Sequence, residues 1–519
     1  MSGDTDRAAR STRPGSAERG AAHSTIDPVD VVEPEPVAAS DTDAGERPVP
    51  FLALAAVVML LVPLRAAVGP IRDIDLYWHL LVGQDILAGT GVAGAARGWS
   101  FAAVPDTWVS TQWLAEIAFA RLEQWGGLQA LLVYRVVMMV GALVVLAAVT
   151  LVRRPPRASV WVFAVGALAL SLTSQERSQQ LTFLLAPLVG WWMERIWREG
   201  RMPRWWLVLP LVVVWANVHG GWVILPMGLG LAALARIVDH GARDTRAWRS
   251  VLLAVGTVLA ACISPSGVDN VLAAPRFATA AGMVVEWGPV ALRDWSALPL
   301  LALLPLVVVA WARGRARPSR GELVLVLLLM AFAVTAWRNL TPAVLMLAPL
   351  VVGILARALG EPDPWPGRLP LGRVVVGAGV AGAVLSLAVV ALLPQPVVNA
   401  SVPRGLIARI AAAPGQQRVL DTYDLAGPLL WFGGHPPHVL VAIDGRADRY
   451  GADYIDRYAN TVAAVEGWAQ QLDELGPTVA LLRTDEALSG ALVAQRGWVE
   501  VAREGQYVLL HAPGAPGWS

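Results

Sequence analysis

Lysine is absent from this chain of 519 residues: all 41 basic side chains are arginine. That excludes Schiff-base lysine chemistry and the lysine of a phosphate-binding P-loop. Cysteine is nearly absent as well. The single Cys262 excludes an intrachain disulfide and a cysteine-ligated zinc or iron–sulfur centre. Charge is scarce, at 16% of residues, and sums to +1, so no bulk field recruits nucleic acid. These gaps argue against an ATP-driven pump.

What the chain has instead is apolar length. Hydrophobic residues make up 55% of it, and the mean hydropathy is +0.53. A soluble protein of this size needs far more polar surface, so the bulk belongs in lipid. Residues 1–50 differ: ten acids and five arginines among Pro, Ala and Ser cannot build a core and read as a disordered cytoplasmic tail. The apolar run that starts at Phe51 is long enough to span and reads as a signal anchor.

A span needs about 20 apolar residues. Eleven are expected, near 51–69, 127–151, 158–174, 180–197, 204–218, 221–238, 248–264, 295–312, 321–337, 339–357 and 371–394. Arginine sets their orientation. The connections 152–157, 195–204, 236–249, 313–320 and 357–373 hold 18 arginines, and the alternate connections hold seven. The N-terminus is therefore expected in the cytoplasm and the C-terminal segment outside. The fold class expected is mainly α: a polytopic membrane bundle over 51–394, with a C-terminal extracytoplasmic α/β domain over 395–519. In that domain, runs at Arg418–Asp421, Val439–Ile443, Val479–Leu482 and Val508–His511 read as strands, with helical patterns between them. The outer loop 70–126 carries two amphipathic stretches, Leu76–Leu87 and Trp113–Trp125, which suit helices lying flat on the membrane surface.

Polar residues sort by face. The outer connections carry compact motifs near span ends: Arg72-Asp73-Ile74-Asp75 running to His79, Gln175-Glu176-Arg177-Ser178-Gln179, Asn217-Val218-His219-Gly220, Glu286-Trp287 and Trp337-Arg338-Asn339. Buried polar groups must be paired, so these motifs and Ser264-Pro265-Ser266-Gly267, six in all at one membrane face, imply a cavity at the outer leaflet. Asp73 and Asp75 suit a general base or a divalent cation, Mg or Mn, and equally a helix N-cap. His79 falls on the helical face of Asp75. Arg177 and Arg338 suit a phosphate through their forked donors, or ion pairs with Glu176 and Glu286; Arg135, deep in the second span, faces the same choice. Glu286 with Trp287 suits a sugar ring. Asn217 and His219 sit at a tight turn. Asp444-Gly445-Arg446-Ala447-Asp448-Arg449-Tyr450 in the outer domain suits an acceptor contact or a structural network.

On these motifs the chain resembles the GT-C type integral-membrane glycosyltransferases, and more closely a bacterial subgroup of them. The matching pieces are Asp73-Ile74-Asp75 through Trp78-His79-Leu80 with Gly83, Trp99-Ser100-Phe101, Trp113-Leu114-Ala115-Glu116, Trp215 to Gly220, Glu286-Trp287, Trp337-Arg338-Asn339 and Asp444-Gly445-Arg446. The likeness covers about residues 70–519. Where the subgroup has Arg-Pro-Gln and Asn-Pro, this chain has Arg177-Ser178-Gln179 and Ser264-Pro265. The resemblance implies an inverting transfer of a sugar from a polyprenyl-phosphate carrier to a glycan, lipid or protein acceptor outside the cell membrane. It makes Asp73 or Asp75 the catalytic acid–base group. His79, Arg177, Gln179, Asn217, His219, Glu286, Trp287, Arg338 and Asn339 become substrate-binding residues. The competing readings are a lipid or glycan transporter or flippase, which would place polar groups at the midplane, and a non-catalytic envelope scaffold.

Overall fold

A computed structural model describes residues 49–152, 154–272, 285–313, 317–364, 371–392, 394 and 397–518. Nearly all of the tail expected over 1–50 lies outside the described residues.

Helices occupy the segments where apolar runs are expected. They are α1 (Val49–Ala67), α2 (Leu76–Asp85), α3 (Trp113–Thr150), α4 (Pro156–Leu172), α5 (Gln180–Glu199), α6 (Trp205–Val218), α7 (Ile224–His240), α8 (Thr245–Ala261), α9 (Leu298–Ala312), α10 (Arg320–Thr335), α11 (Trp337–Leu359) and α12 (Leu371–Leu392). Among the described residues, five helical stretches are long and apolar enough to cross a membrane: Trp113–Thr150, Gly220–His240, Trp295–Ala312, Trp337–Leu359 and Arg373–Leu392. The expected eleven crossings go beyond what helix length establishes. α11 is the axis of the bundle. It is buried almost throughout from Leu340 to Ala356 and packs on α4, α5, α9 and α10. A helix apolar all round belongs inside a bundle rather than at its lipid face.

The first outer helix corrects the sequence reading. α2 was expected on the membrane surface, but every residue from Leu76 to Gly83 is buried. It is clasped between α3 and the C-terminal domain, so its apolar residues face protein on all sides. The second amphipathic stretch is the first limb of α3, which breaks at Gly126 and Gly127 before the spanning limb begins.

The bundle has two unlike poles. At one, the arginine-rich connections tie themselves together. Arg154 pairs with Glu194 and, at 2.9 Å, with Asp363. Arg236 pairs with Asp244 at 2.5 Å, and Asp239 receives Trp197, Ser319 and Gly321. The opposite pole holds the polar outer motifs and the C-terminal domain.

That domain is a five-stranded mixed sheet flanked by helices. Its strands are β1 (Gln417–Asp421), β2 (Val439–Val441), β3 (Val479–Arg483), β4 (Val499–Glu504) and β5 (Tyr507–His511), in the order β2-β1-β3-β5-β4. β1, β2 and β3 run parallel, with Val419 opposite both Val441 and Val479; β5 is antiparallel to β3 and β4. Its helices are α13 (Arg404–Ala412), α14 (Ala426–Gly433), α15 (Ala447–Val462), α16 (Trp468–Leu475) and α17 (Ala487–Arg496).

Candidate active site

A buried ion pair fixes the loop that leaves α1. Arg135 and Glu176 are both fully enclosed, 2.5 Å apart. Arg135 also donates to the carbonyls of Pro70 (2.8 Å) and Gly69 (3.1 Å), and the second oxygen of Glu176 accepts the backbone N–H of Arg72 at 2.9 Å. The clamp thus holds the backbone on both sides of Ile71, immediately before Asp73. It resolves the choice at Arg135 in favour of an ion pair. A charge this deep must be paired; the loop carbonyls take two more of its protons, and among the described residues its Nε has no acceptor.

Arg177, the residue after Glu176, is the hub of the site. Three carboxylates converge on its guanidinium: Asp73 at 2.8 Å, Asp75 at 2.5 Å, and Glu286. The Asp73 contact lies off the N–H direction, so its Oδ2 is buried without a hydrogen bond. Its Oδ1 accepts the N–H of Asp75 at 3.2 Å, which makes the turn that starts α2. The N-cap side chain itself, Asp75, makes no capping bond. One cation therefore serves three acids. Burial outweighs the pull of Arg177 and, with Asp75, Glu286 and Glu176 adding, pushes the Asp73 carboxyl up to about 8. A buried carboxyl with a near-neutral pKa and an unused oxygen can give or take a proton at working pH.

His79 stands one helical turn on. Its Nδ1 lies 3.0 Å from Glu116 of α3, and its Nε2 faces Gln112 at 3.5 Å. Ser178 donates to Gln112 at 2.7 Å, which returns the chain of contacts to the residue beside Arg177. Glu116 Oε2 has no partner. α2 and α3 come this close because Gly83 lies against the Glu116 carbonyl.

Arg338, at the start of α11, lies over the Trp287 ring, 4.3 Å from its centroid. Among the described residues it makes no hydrogen bond. His219 Nδ1 accepts from Gly221 N–H at 2.9 Å and meets Thr182 at 2.8 Å, which leaves the ring proton on Nε2. Burial, reinforced by Arg338 and Arg177, holds this imidazole neutral, well below its usual range.

Two expected ligand groups sit elsewhere in the hydrogen-bond scheme. Asn217 donates to the carbonyls of Val213 and Ile263 and accepts from Trp113 at 2.6 Å. Its amide is spent as a brace between α3, α6 and the turn after α8. Asn339 donates to Thr335, the last residue of α10, across the break at Ala336. Gln179 precedes α5, half-buried, with its side chain outside any hydrogen bond among the described residues. Glu116, Gln112 and Ser178 are site residues to which the sequence reading gave no role.

The Asp444–Tyr450 turn is a lock. Asp444 holds Arg446 through both oxygens (2.8 and 2.6 Å) and accepts the Tyr450 hydroxyl at 2.8 Å. Arg446 then donates to the Ala96 carbonyl, and Asp448 accepts the Trp108 indole at 3.0 Å. Trp99 and Phe101 bond to Val441 of β2. The outer loop is thereby stitched to the C-terminal domain, and the structural network, one of the two readings of this turn, accounts for every charge in Asp444 and Arg446.

No family model matches the chain, and no curated protein does. Solved structures do. The archaeal oligosaccharyltransferase AglB from Archaeoglobus fulgidus, solved with an inhibitory peptide and a dolichol-phosphate, aligns at a TM-score of 0.50 and 13% identity, over 90% of this chain and 74% of its own. ArnT from Cupriavidus metallidurans aligns at 0.48 and 16%, over 89% and 97%. The mycobacterial arabinofuranosyltransferase AftD aligns at 0.47 and 16%, over 90% of this chain but 42% of its own. At these identities the likeness is one of fold alone.

Proposed function

We propose that this chain is an inverting membrane glycosyltransferase that moves a sugar from a polyprenyl-phosphate donor to an acceptor on the outer face of the membrane. The observation that carries the reading is the cluster of Asp73, Asp75 and Glu286 on Arg177, with Arg338 on the ring of Trp287, next to Glu286. All of these groups lie at one pole, whereas a transporter needs them at the midplane. The arginine-dense opposite pole supports a cytoplasmic N-terminus and an outer C-terminal domain.

The chemistry follows from the groups. An acceptor hydroxyl attacks the sugar C1 from the face opposite the phosphate. The new C–O bond forms as the C1–O bond to phosphate breaks, and the electron pair leaves on polyprenyl phosphate. The hydroxyl proton passes to Asp73, whose pKa near 8 makes it basic enough for the task. Asp75, half-exposed and held by Arg177, orients the acceptor. Arg338 meets the charge that grows on the leaving phosphate, where electrostatic stabilisation matters most. The oligosaccharyltransferase of like fold holds a dolichol-phosphate, in keeping with a polyprenyl carrier here. A groove of about 540 Å³ with largely apolar walls, among them Leu114, Val213, Val214 and Ile263, suits the carrier's tail.

A divalent cation fits less well. Asp73 and Asp75 are hard oxygen donors, but Arg177 already supplies the positive charge between them. Among the described residues no three His, Cys, Asp or Glu side chains group as metal ligands. The proposed transfer uses no metal.

The test is sugar transfer by the purified chain in proteoliposomes, with a panel of labelled polyprenyl-phosphate sugars, membrane extract as acceptor, and EDTA in parallel. Transfer that survives EDTA supports the reading. Donor flipped across the bilayer without transfer favours a transporter.

A further inference from the structure

The segment that leaves the carboxyl end of β1 packs on α2 and the loop before it. From β1 the chain crosses to β2 on one side, and from β2 it returns to β3 on the other. The connections thus part between β1 and β3, where open α/β sheets form a binding crevice. Here the crevice is lined by Tyr423 and Asp424 after β1, and by Glu486 after β3.

The crevice opens on the active-site loop. Three residues past Asp424, Gly427 in the first turn of α14 lies against the backbone of Ile74, the residue between Asp73 and Asp75. A Cβ at Gly427 would stand 2.9 Å from the Ile74 carbonyl oxygen and 3.2 Å from Trp78 N. Only glycine lets the two backbones meet. Asp424 Oδ1 is buried with no hydrogen-bond partner. Tyr423 is half-buried, and its hydroxyl bonds to none of the described residues. The nearness has an electrostatic trace: after burial, the charge of Asp75 is the largest influence raising the Tyr423 phenol, and it also raises Asp424.

These groups state what they bind. Asp75, Asp424 and Glu486 accept hydrogen bonds, and Arg177 is already shared by three acids, so the ligand must bring donors. Asp75, Asp444 and Asp448 all bear on Tyr423, with Arg177 opposing them, and this excess of acids disfavours an anion. We propose that Tyr423 and Asp424 are an acceptor subsite that takes an uncharged sugar by its hydroxyls and presents one of them to Asp75 and Asp73. This rests on the glycosyltransferase reading and names its acceptor class.

The experiment uses the full chain in lipid nanodiscs with a labelled polyprenyl-phosphate sugar that the wild type transfers. The acceptor is a cell-envelope glycan extract split by anion exchange into neutral and acidic fractions. Label should enter the neutral fraction. Tyr423→Phe and Asp424→Asn should each raise its half-saturating concentration about tenfold, the order of a lost hydrogen bond to a charged or buried partner, with donor KM unchanged within twofold. Label in the acidic fraction, or wild-type half-saturation in both variants, overturns the subsite. Should the wild type transfer no label from any donor, the glycosyltransferase reading fails first, and that result is distinct from the other two.

Discussion

Nε of Arg177 lies 2.8 Å from Oδ2 of Asp73, yet that oxygen has no hydrogen bond. The contact is close but misdirected, because the same guanidinium must also serve Asp75 and Glu286. It joins a residue of the first outer loop to one of the next, and the proposed chemistry turns on it.

The first prediction concerns Arg177. Lysine keeps the charge but loses the fork that reaches three carboxylates at once. Arg177→Lys should lower kcat about 100-fold, the size of one lost electrostatic contact in a preorganised site. Steady-state transfer checks it, with donor binding measured alongside.

The second concerns pH. Asp73 must be deprotonated to accept a proton, so transfer should rise with pH and level off above about 8. Stability runs the other way. The folded-state pKa is raised, so the contribution of this group is fully present below its unfolded value, near 4, and is lost as pH climbs to about 8. Thermal unfolding of wild type should therefore fall in Tm across pH 4–8 more steeply than that of Asp73→Asn.

The third concerns the clamp under the loop. Glu176→Gln leaves Arg135 charged and enclosed, which costs about 3–5 kcal/mol. The double variant Arg135→Met with Glu176→Gln should recover much of that loss. Unfolding of both in the same detergent measures the difference.

The fourth concerns Gly83. A methyl there would stand 2.1 Å from the Glu116 carbonyl oxygen, so α2 and α3 must part. Gly83→Ala should destabilise by about 1–3 kcal/mol and separate His79 from Glu116. A lower Tm together with lost activity would show both.

Much of the fold is legible in the sequence because apolar runs longer than any soluble core needs point to helices in lipid, and Gly126-Gly127 marks where the amphipathic limb of α3 gives way to the spanning one. Four of the five strands follow from short apolar runs. β4, Val499–Glu504, escapes because it is an exposed edge strand carrying Glu500, Arg503 and Glu504. α14 escapes because its apolar residues lack a period. At the site, Asp73, Asp75, Arg177 and Glu286 stand out as charges in apolar outer loops. Glu116 and Gln112 do not: only the tertiary approach of α2 to α3 gives them a partner. The surface placement of α2 fails for a related reason. His79 and the N-cap Asp75 face other protein groups rather than water. Asn217 shows the limit of reading turns, since its spacing cannot reveal that three partners claim its amide.

The most direct measurement is single-turnover transfer from a polyprenyl-phosphate sugar by wild type, Asp73→Asn and Asp75→Asn in the same bilayers. The proposed mechanism predicts that wild type transfers sugar, that Asp73→Asn binds donor with unchanged affinity but transfers at least about 1,000-fold more slowly, within the range of general-base catalysis, and that Asp75→Asn loses less. An Asp73→Asn variant that transfers at the wild-type rate would contradict it.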